Sequence, residues 1–290
     1  MRSQVTRDIS YATAARTGRS RAMIRLVENM TGRIGLIRRA TGYDCDVVQG
    51  RDLWRVLPDR FGLSLDVIGG SLDDIPQTGP LVLVANHPYG ILDGLMMGHI
   101  LSGLRRDFRI VAHGVFRRAE ELNKVILPIS FDATSEAVRL NLRTRAAALD
   151  YLGQGGAIGI FPGGTVSTAA TPLSRPLDPV WRNFTAKMIA RSQATVVPLF
   201  FEGQNSRLFQ IASHLNYTLR LALLIKEFRA RVDEPVRIVV GKPIAPEELA
   251  LRRADPKAMM DFLRQSTYDL SPKPVARLTY GFEFEEKYRA

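Results

Sequence analysis

Apolar positions along this chain follow two periods. Short, nearly continuous apolar runs, bounded by Gly, Pro or Asn, recur at "LSLDVIG" (63–69), "PLVLVAN" (80–86), "FRIVAHG" (108–114), "GAIGIFP" (156–162), "ATVVPLFFEG" (194–203) and "VRIVVGKPI" (236–244). Their β-branched content and length predict buried strands. Between them, apolar residues fall at helical spacing in "ILDGLMMGHILSGL" (91–104), "ATSEAVRLNLRTRAAALDYLGQGG" (133–156), "DPVWRNFTAKMIARSQ" (178–193) and "TLRLALLIKEFRARV" (218–232). Thr134 is placed to cap the second of these helices and Gly153 to stop it. "PEELALRRADPKAMMDFLRQST" (246–267) reads as one or two helices, and "QGRDLWRVLPDRFG" (49–62) as a short helix broken near Pro58. Strands alternating with helices of this length predict an α/β fold, a largely parallel sheet flanked by helices. Catalytic residues in such folds lie beyond the carboxyl ends of the strands.

The first sixty residues differ. Met23, Val27, Met30, Ile34 and Ile37 recur at alternating spacings of four and three, one stripe of a helix. Arg21, Arg25 and Arg39 fall opposite, and Arg33 and Arg38 flank the stripe. Two readings stand side by side: the stripe packs on the core with solvated arginines behind it, or a basic amphipathic helix lies on a membrane surface. The expected division is an N-terminal basic helical region, 1–60, and a domain over 61–290.

Charge sharpens that picture. Of a net +11, residues 1–39 carry nine arginines against Asp8 and Glu28, an excess of seven. Such a surface attracts polyanions, an anionic leaflet or nucleic acid. Few aromatics interleave with the arginines, so nucleic acid is not expected as a partner. The N-terminus has no apolar signal core, and no stretch reaches the ~20 apolar residues of a membrane-spanning helix. A single cysteine, Cys45, excludes an internal disulfide and suits a reducing compartment. No His, Cys, Asp and Glu share metal-ligand spacing, so no metal is expected.

Three strand ends carry candidate chemistry. In "NHPYGILDG" (86–94), His87 and Asp93 flank a Pro/Gly bend: an imidazole can take a proton from a hydroxyl, and a carboxylate can orient it. A capping histidine and a first-turn aspartate would fit the same residues. "IFPGGTVST" (160–168) offers a glycine turn with free N–H groups, but lacks the lysine of a phosphate-binding loop. "EGQNSRLF" (202–209) places Glu202, Asn205 and Arg207 close to the core, either as an internal Glu202–Arg207 ion pair or as a mixed-charge headgroup site. His99, His113 and His214 sit in contexts that suit structural roles.

Taken in order, "NHPYGILD", "FPGGT" and "VVPLFFEG" resemble the blocks of the glycerolipid (lysophospholipid) acyltransferase superfamily, over roughly residues 65–250. Five residues rather than four separate His87 from Asp93, and Gly163 stands where the third block usually has glutamate. Both departures, with "GQNSR", are similar to a subgroup of bacterial hemolysin-type enzymes and O-acyltransferases of lyso-ornithine and related lyso-aminolipids. The resemblance implies a glycerol-3-phosphate-acyltransferase-like fold with a membrane-associating N-terminal region.

It also implies roles, with His87 as general base and Asp93 as its orienter. Substrate contacts would come from Asn86, from Gly163, Gly164 and Thr165, and from Glu202, Asn205 and Arg207. Arg117 or Arg118 of "GVFRR", similar to the second block, would meet an anionic acceptor or the carrier's phosphates, unless they form a solvated pair.

The activity implied is transfer of a fatty acyl group from acyl carrier protein or coenzyme A, as co-substrate and without a cofactor, to a lyso-lipid hydroxyl. A lyso-aminolipid is the expected acceptor, and lysophosphatidate the alternative. The enzyme would be peripheral on the cytoplasmic face of the inner membrane, held to anionic lipid through residues 19–39. A non-catalytic anionic-lipid-binding protein on the same fold is the reading from another class.

Overall fold

The computed structural model describes residues 9–15, 17–113, 120–130, 132, 134–275 and 278–284. Among the described residues, a 3₁₀ turn (Ala12–Ala14) is followed by the α-helices α1 (Gly18–Thr31), α2 (Arg33–Ala40), α3 (Tyr43–Val48) and α4 (Leu53–Arg60). Strand β1 (Ser64–Gly69) follows, then β2 (Leu81–Ala85), α5 (Ile91–Leu104), β3 (Arg109–His113), α6 (Glu120–Asn123), β4 (Ile126–Ile129), α7 (Ser135–Gly153) and β5 (Ala157–Ile160). A two-stranded hairpin, β6 (Thr168–Ala169) and β7 (Pro176–Leu177), leads to α8 (Asn183–Ser192) and β8 (Thr195–Phe201). Last come α9 (Arg207–Leu215), α10 (Tyr217–Arg229), β9 (Pro235–Val240), α11 (Pro246–Ala250) and α12 (Pro256–Tyr268).

Among the described residues, seven strands form one sheet in the order β1-β9-β8-β2-β5-β3-β4. Strand β2 pairs in parallel with both β5 and β8, and β3 continues the parallel set to β4. Strand β9 is antiparallel to β8 and parallel to β1, so these two edge-side strands run against the other five. Every residue of β2 is buried, which is why its sequence reads as an unbroken apolar run. The α/β architecture is therefore the expected one, a largely parallel sheet between helices. The central trio β5, β2 and β8 brings "FPGGT", "NHPYG" and "EGQNSR" to one end of the sheet.

Two local details refine the expected elements. Helix α4 runs through Pro58 instead of ending there. Pro58 has no N–H for the Trp54 carbonyl, and His99 Nδ1 approaches that carbonyl at 2.8 Å. Thr134 caps α7 by accepting from Ala137 N at 3.1 Å.

The N-terminal helices bury a different face from the one their stripe suggests. Ile24, Glu28, Leu36 and Ala40 turn inward. Leu36, Ala40 and Trp54 join the same core as the sheet. Met23, Leu26, Met30 and Ile34 are left exposed, Met30 at 78%. Glu28 is buried because it holds the preceding chain: it accepts from Ser10 Oγ at 2.5 Å and from Tyr11 N at 2.6 Å. Burial raises its pKa above the ordinary glutamate value. Among the described residues, no helix is long and apolar enough to cross a membrane.

Candidate active site

His87 follows the carboxyl end of β2, and Asp93 lies in the first turn of α5. The bend between them is made by Gly90, whose φ of +89° favours glycine. A side chain there would also meet the Tyr11 hydroxyl and Val166, each 3.1 Å from its Cβ. The bend brings His87 Nδ1 to 3.0 Å from Asp93 Oδ2. The same oxygen accepts from Tyr89 N at 2.7 Å and Gly90 N at 3.0 Å. Asp93 thus satisfies free N–H groups at the helix start and contacts the imidazole at once. The helix-start role and the contact with the candidate base coexist in one carboxylate.

Asp93 is fully buried. Burial raises its pKa, and the His87 ring and the two backbone N–H groups oppose that rise. The histidine side chain keeps 17% of its surface exposed. Its ring stacks on Phe161, the first residue after β5, with centroids 4.3 Å apart and planes at 26°. With Nδ1 turned to Asp93, Nε2 is the nitrogen available to an incoming hydroxyl.

The loop is anchored from below by residues that sequence reasoning missed. Asp178, completely buried, accepts from the His87 backbone N–H at 3.2 Å and from Trp181 Nε1 at 2.9 Å. It also accepts from Ser167 Oγ. Ser167 N in turn donates to the His87 carbonyl at 2.8 Å. Gly163 packs directly on this carboxylate: a Cβ at 163 would lie 3.3 Å from the Asp178 Cβ and 3.5 Å from its Oδ2. The glutamate expected at that position would therefore oppose a second carboxylate.

Arg220 is the other missed residue. Buried in α10, it reaches Thr168 Oγ1 at 2.6 Å, Ser213 Oγ at 3.0 Å, Val166 O at 2.9 Å and Thr165 Oγ1 at 3.2 Å. It lies over the Phe284 and Phe209 rings. Burial lowers its pKa to about 10, so it stays charged while it ties the Thr165–Thr168 loop to the helix. An arginine inside the apolar "TLRLALLI", a stretch without an acidic residue, was its signal.

The remaining expected residues divide. Asn86 is buried and spends its amide on the Phe201 backbone, donating to its carbonyl at 2.9 Å and accepting from its N–H at 2.7 Å. It locks β2 to β8 beneath the histidine. Gly164 N closes a turn onto Phe161 O at 3.0 Å. Among the described residues, the Gly163 and Thr165 N–H groups make no such bond.

Glu202, Asn205 and Arg207 are not gathered into one mixed-charge pocket, nor do Glu202 and Arg207 pair. Glu202 faces the neighbouring strand, where Arg237 Nη1 lies 2.7 Å from its Oε2. Arg207 is the first residue of α9 and turns outward to the carbonyls of Leu173 and Ser174, at 2.8 and 3.2 Å. Asn205 is buried, and neither of its amide atoms has a hydrogen-bond partner among the described residues. The 202–206 loop is docked by Tyr89, whose hydroxyl donates to the Glu202 carbonyl at 2.9 Å. Arg117 and Arg118 lie outside the described residues.

A base–carboxylate pair at the end of a parallel sheet, beside a glycine turn, suits attack by a hydroxyl on an acyl carbonyl. A family model described as Acyltransferase matches residues 52–274. The chain belongs to this acyltransferase family. A curated relative from Phocaeicola vulgatus, lyso-glycine lipid O-acyltransferase, is 23% identical to the acyltransferase over 206 residues, 69% of this chain and 71% of that one. Among solved structures, the 1-acyl-sn-glycerophosphate acyltransferase PlsC from Thermotoga maritima aligns with 15% identity and a TM-score of 0.49, covering 88% of this acyltransferase and 97% of that chain.

Proposed function

We propose that the enzyme O-acylates a lyso-aminolipid, taking the fatty acyl group from acyl carrier protein or coenzyme A at the cytoplasmic leaflet. The observation that carries this reading is the contact between His87 Nδ1 and the buried Asp93, which leaves Nε2 as base. His87 Nε2 takes the hydroxyl proton as the acceptor oxygen bonds to the thioester carbonyl carbon. The tetrahedral intermediate then collapses, the C–S bond breaks, and the departing thiolate recovers the proton from His87. Asp93 stabilises the imidazolium between these steps. The N–H groups of Gly163 and Thr165 are candidates to hold the oxyanion, a contribution of about 3 kcal/mol per donor. Seating at an anionic leaflet is supported by the exposed Met23, Leu26, Met30 and Ile34 among arginines. The curated relative named for lyso-glycine lipid supports an amino-acid lipid as acceptor.

The test offers purified protein an acyl thioester and a panel of lyso-lipids: lyso-aminolipids, lysophosphatidate and lysophosphatidylcholine. Acylation of a lyso-aminolipid, lost in His87→Ala, is the expected result. Acylation of lysophosphatidate alone would overturn the acceptor, and full activity of His87→Ala would overturn the mechanism.

A further inference from the structure

Helix α9 buries two polar side chains beside Phe209 and Ala212 and leaves apolar ones outside. Phe209, Gln210, Ala212 and Ser213 face inward and are buried. The two polar members have partners there: Gln210 Oε1 accepts from Ala169 N at 3.0 Å, and Ser213 Oγ donates to Phe209 O at 2.7 Å. Leu208, Ile211 and Leu215, three and four residues apart on one helical face, point to solvent, Leu208 at 53% and Leu215 at 73% exposed. The outer face of a surface helix is ordinarily polar.

The surroundings extend the same surface. Arg207 clamps the 173–174 turn against the start of α9, and Leu173 at the tip of that turn is 76% exposed. Tyr217, at the start of α10, is also exposed. Cations rim the edge: Arg207 and Arg175 are exposed, and Arg175 Nη1 reaches the Lys273 carbonyl at 2.9 Å, adding an exposed lysine. Neither 163–177 nor 203–226, the segments that build this surface, contains an Asp or Glu. Glu227, one residue further on, accepts from Ser206 N and Oγ at the start of α9 but is buried, so the solvent face of these segments shows apolar side chains and cations, which complement an anionic lipid interface.

We infer that α9 and the 173–174 turn form a second lipid-contacting face, separate from α1 and set on the active-site end of the sheet. Both helices pack on α10, so the two contacts flank one element. Helix α9 begins six residues after β8 ends, and the 173–174 turn lies in the hairpin that follows "FPGGT". Lipid contact here would bring the bilayer to the side on which His87 opens. This rests on the proposed reading that the acceptor is a membrane lipid, and it commits to a bilayer as the occupant.

The experiment uses the full chain and a triple variant, Leu208→Gln, Ile211→Gln and Leu215→Gln, whose side chains lie outside the catalytic machinery. Co-sedimentation with vesicles of phosphatidylcholine mixed with phosphatidylglycerol should weaken by about tenfold or more, given the apolar area withdrawn from the interface. The thermal midpoint should stay unchanged, as should acylation of a short-chain, monomeric lyso-acceptor. A Leu215→Trp variant should gain a blue-shifted emission component on these vesicles that the wild type lacks. Wild-type vesicle affinity in a folded triple variant, or an unshifted emission spectrum from vesicle-bound Leu215→Trp, would overturn the inference. So would loss of acyl carrier protein binding or of self-association with vesicle affinity intact, since either assigns the face to a protein. If vesicle binding depends on α9 while the wild type acylates no lyso-lipid in solution or in vesicles, the proposed activity fails and the lipid face stands.

Discussion

The Asp178 carboxylate holds His87 by its backbone N–H, 3.2 Å away and 91 residues distant along the chain. Two of its three donors, the His87 N–H and the Trp181 indole, can only donate, and they meet different oxygens, Oδ1 and Oδ2, so an acceptor-only carboxylate fits and an amide does not, whichever way the Ser167 hydroxyl turns.

Asp178→Asn should therefore turn an NH2 group against at least one donor. Steady-state kinetics should show kcat reduced about tenfold or more, with KM little changed, because His87, the proposed base, is displaced while acceptor contacts persist. The thermal midpoint should fall by an amount equivalent to about 1–3 kcal/mol for the buried group left unpaired. An unaltered kcat in a folded variant would refute the positioning role.

Asp93→Asn separates charge from geometry. One oxygen, Oδ2, makes the contacts to His87, Tyr89 and Gly90, and an asparagine oxygen can occupy its place. The bend should persist while kcat falls about 100-fold, because the imidazolium of the proposed mechanism would lose its counter-charge. The folded-state pKa of Asp93 is raised, chiefly by burial, so its contribution to stability is full below the ordinary value of 3.8 and is lost as pH rises through the raised value. Differential scanning calorimetry should accordingly find the variant less destabilised, relative to wild type, at neutral pH than in acid near the ordinary carboxylate range. The opposite trend would contradict the direction assigned to Asp93.

Gly203→Ala tests the clamp between the two loops. Gly203 has φ +116°, and a Cβ there would fall 1.7 Å from the Tyr89 hydroxyl. Backbone strain together with the displaced Tyr89 side chain should cost about 3 kcal/mol. Activity at low temperature should fall with it, because Tyr89 neighbours the His87 bend. A urea midpoint equal to wild type would show that the loops yield without cost.

The strands and the His87–Asp93 pair are legible because both announce themselves locally, one through runs of β-branched residues and the other through a Pro/Gly bend. Asp178 is not: "DPVWRNFTAKMIARSQ" makes it the first residue of a helix that in fact begins at Asn183, and its importance comes from partners brought by other segments. Helix α9 is obscured because its inward residues include Gln210 and Ser213, which reverse the pattern that periodicity relies on. The stripe in α1 and α2 marks a helical face, but tertiary packing buries Ile24, Glu28 and Leu36 instead. The Glu202–Arg207 pairing fails because the loop and helix start between them point the two side chains away from each other, and β9 supplies Arg237 to the first.

The reversed direction of β9 divides the molecule into two poles of unequal tolerance. With β1 and β9 both running against the central strands, the 70–80 connection and the 241–245 turn emerge at the pole opposite His87. Affinity tags, fluorophores or inserted peptides grafted at the Leu72–Asp74 3₁₀ turn, where Asp73 and Asp74 are exposed, would stand the full length of the sheet from the reacting atoms. The pole to leave untouched for any labelling or immobilisation is the one where β2, β5 and β8 end.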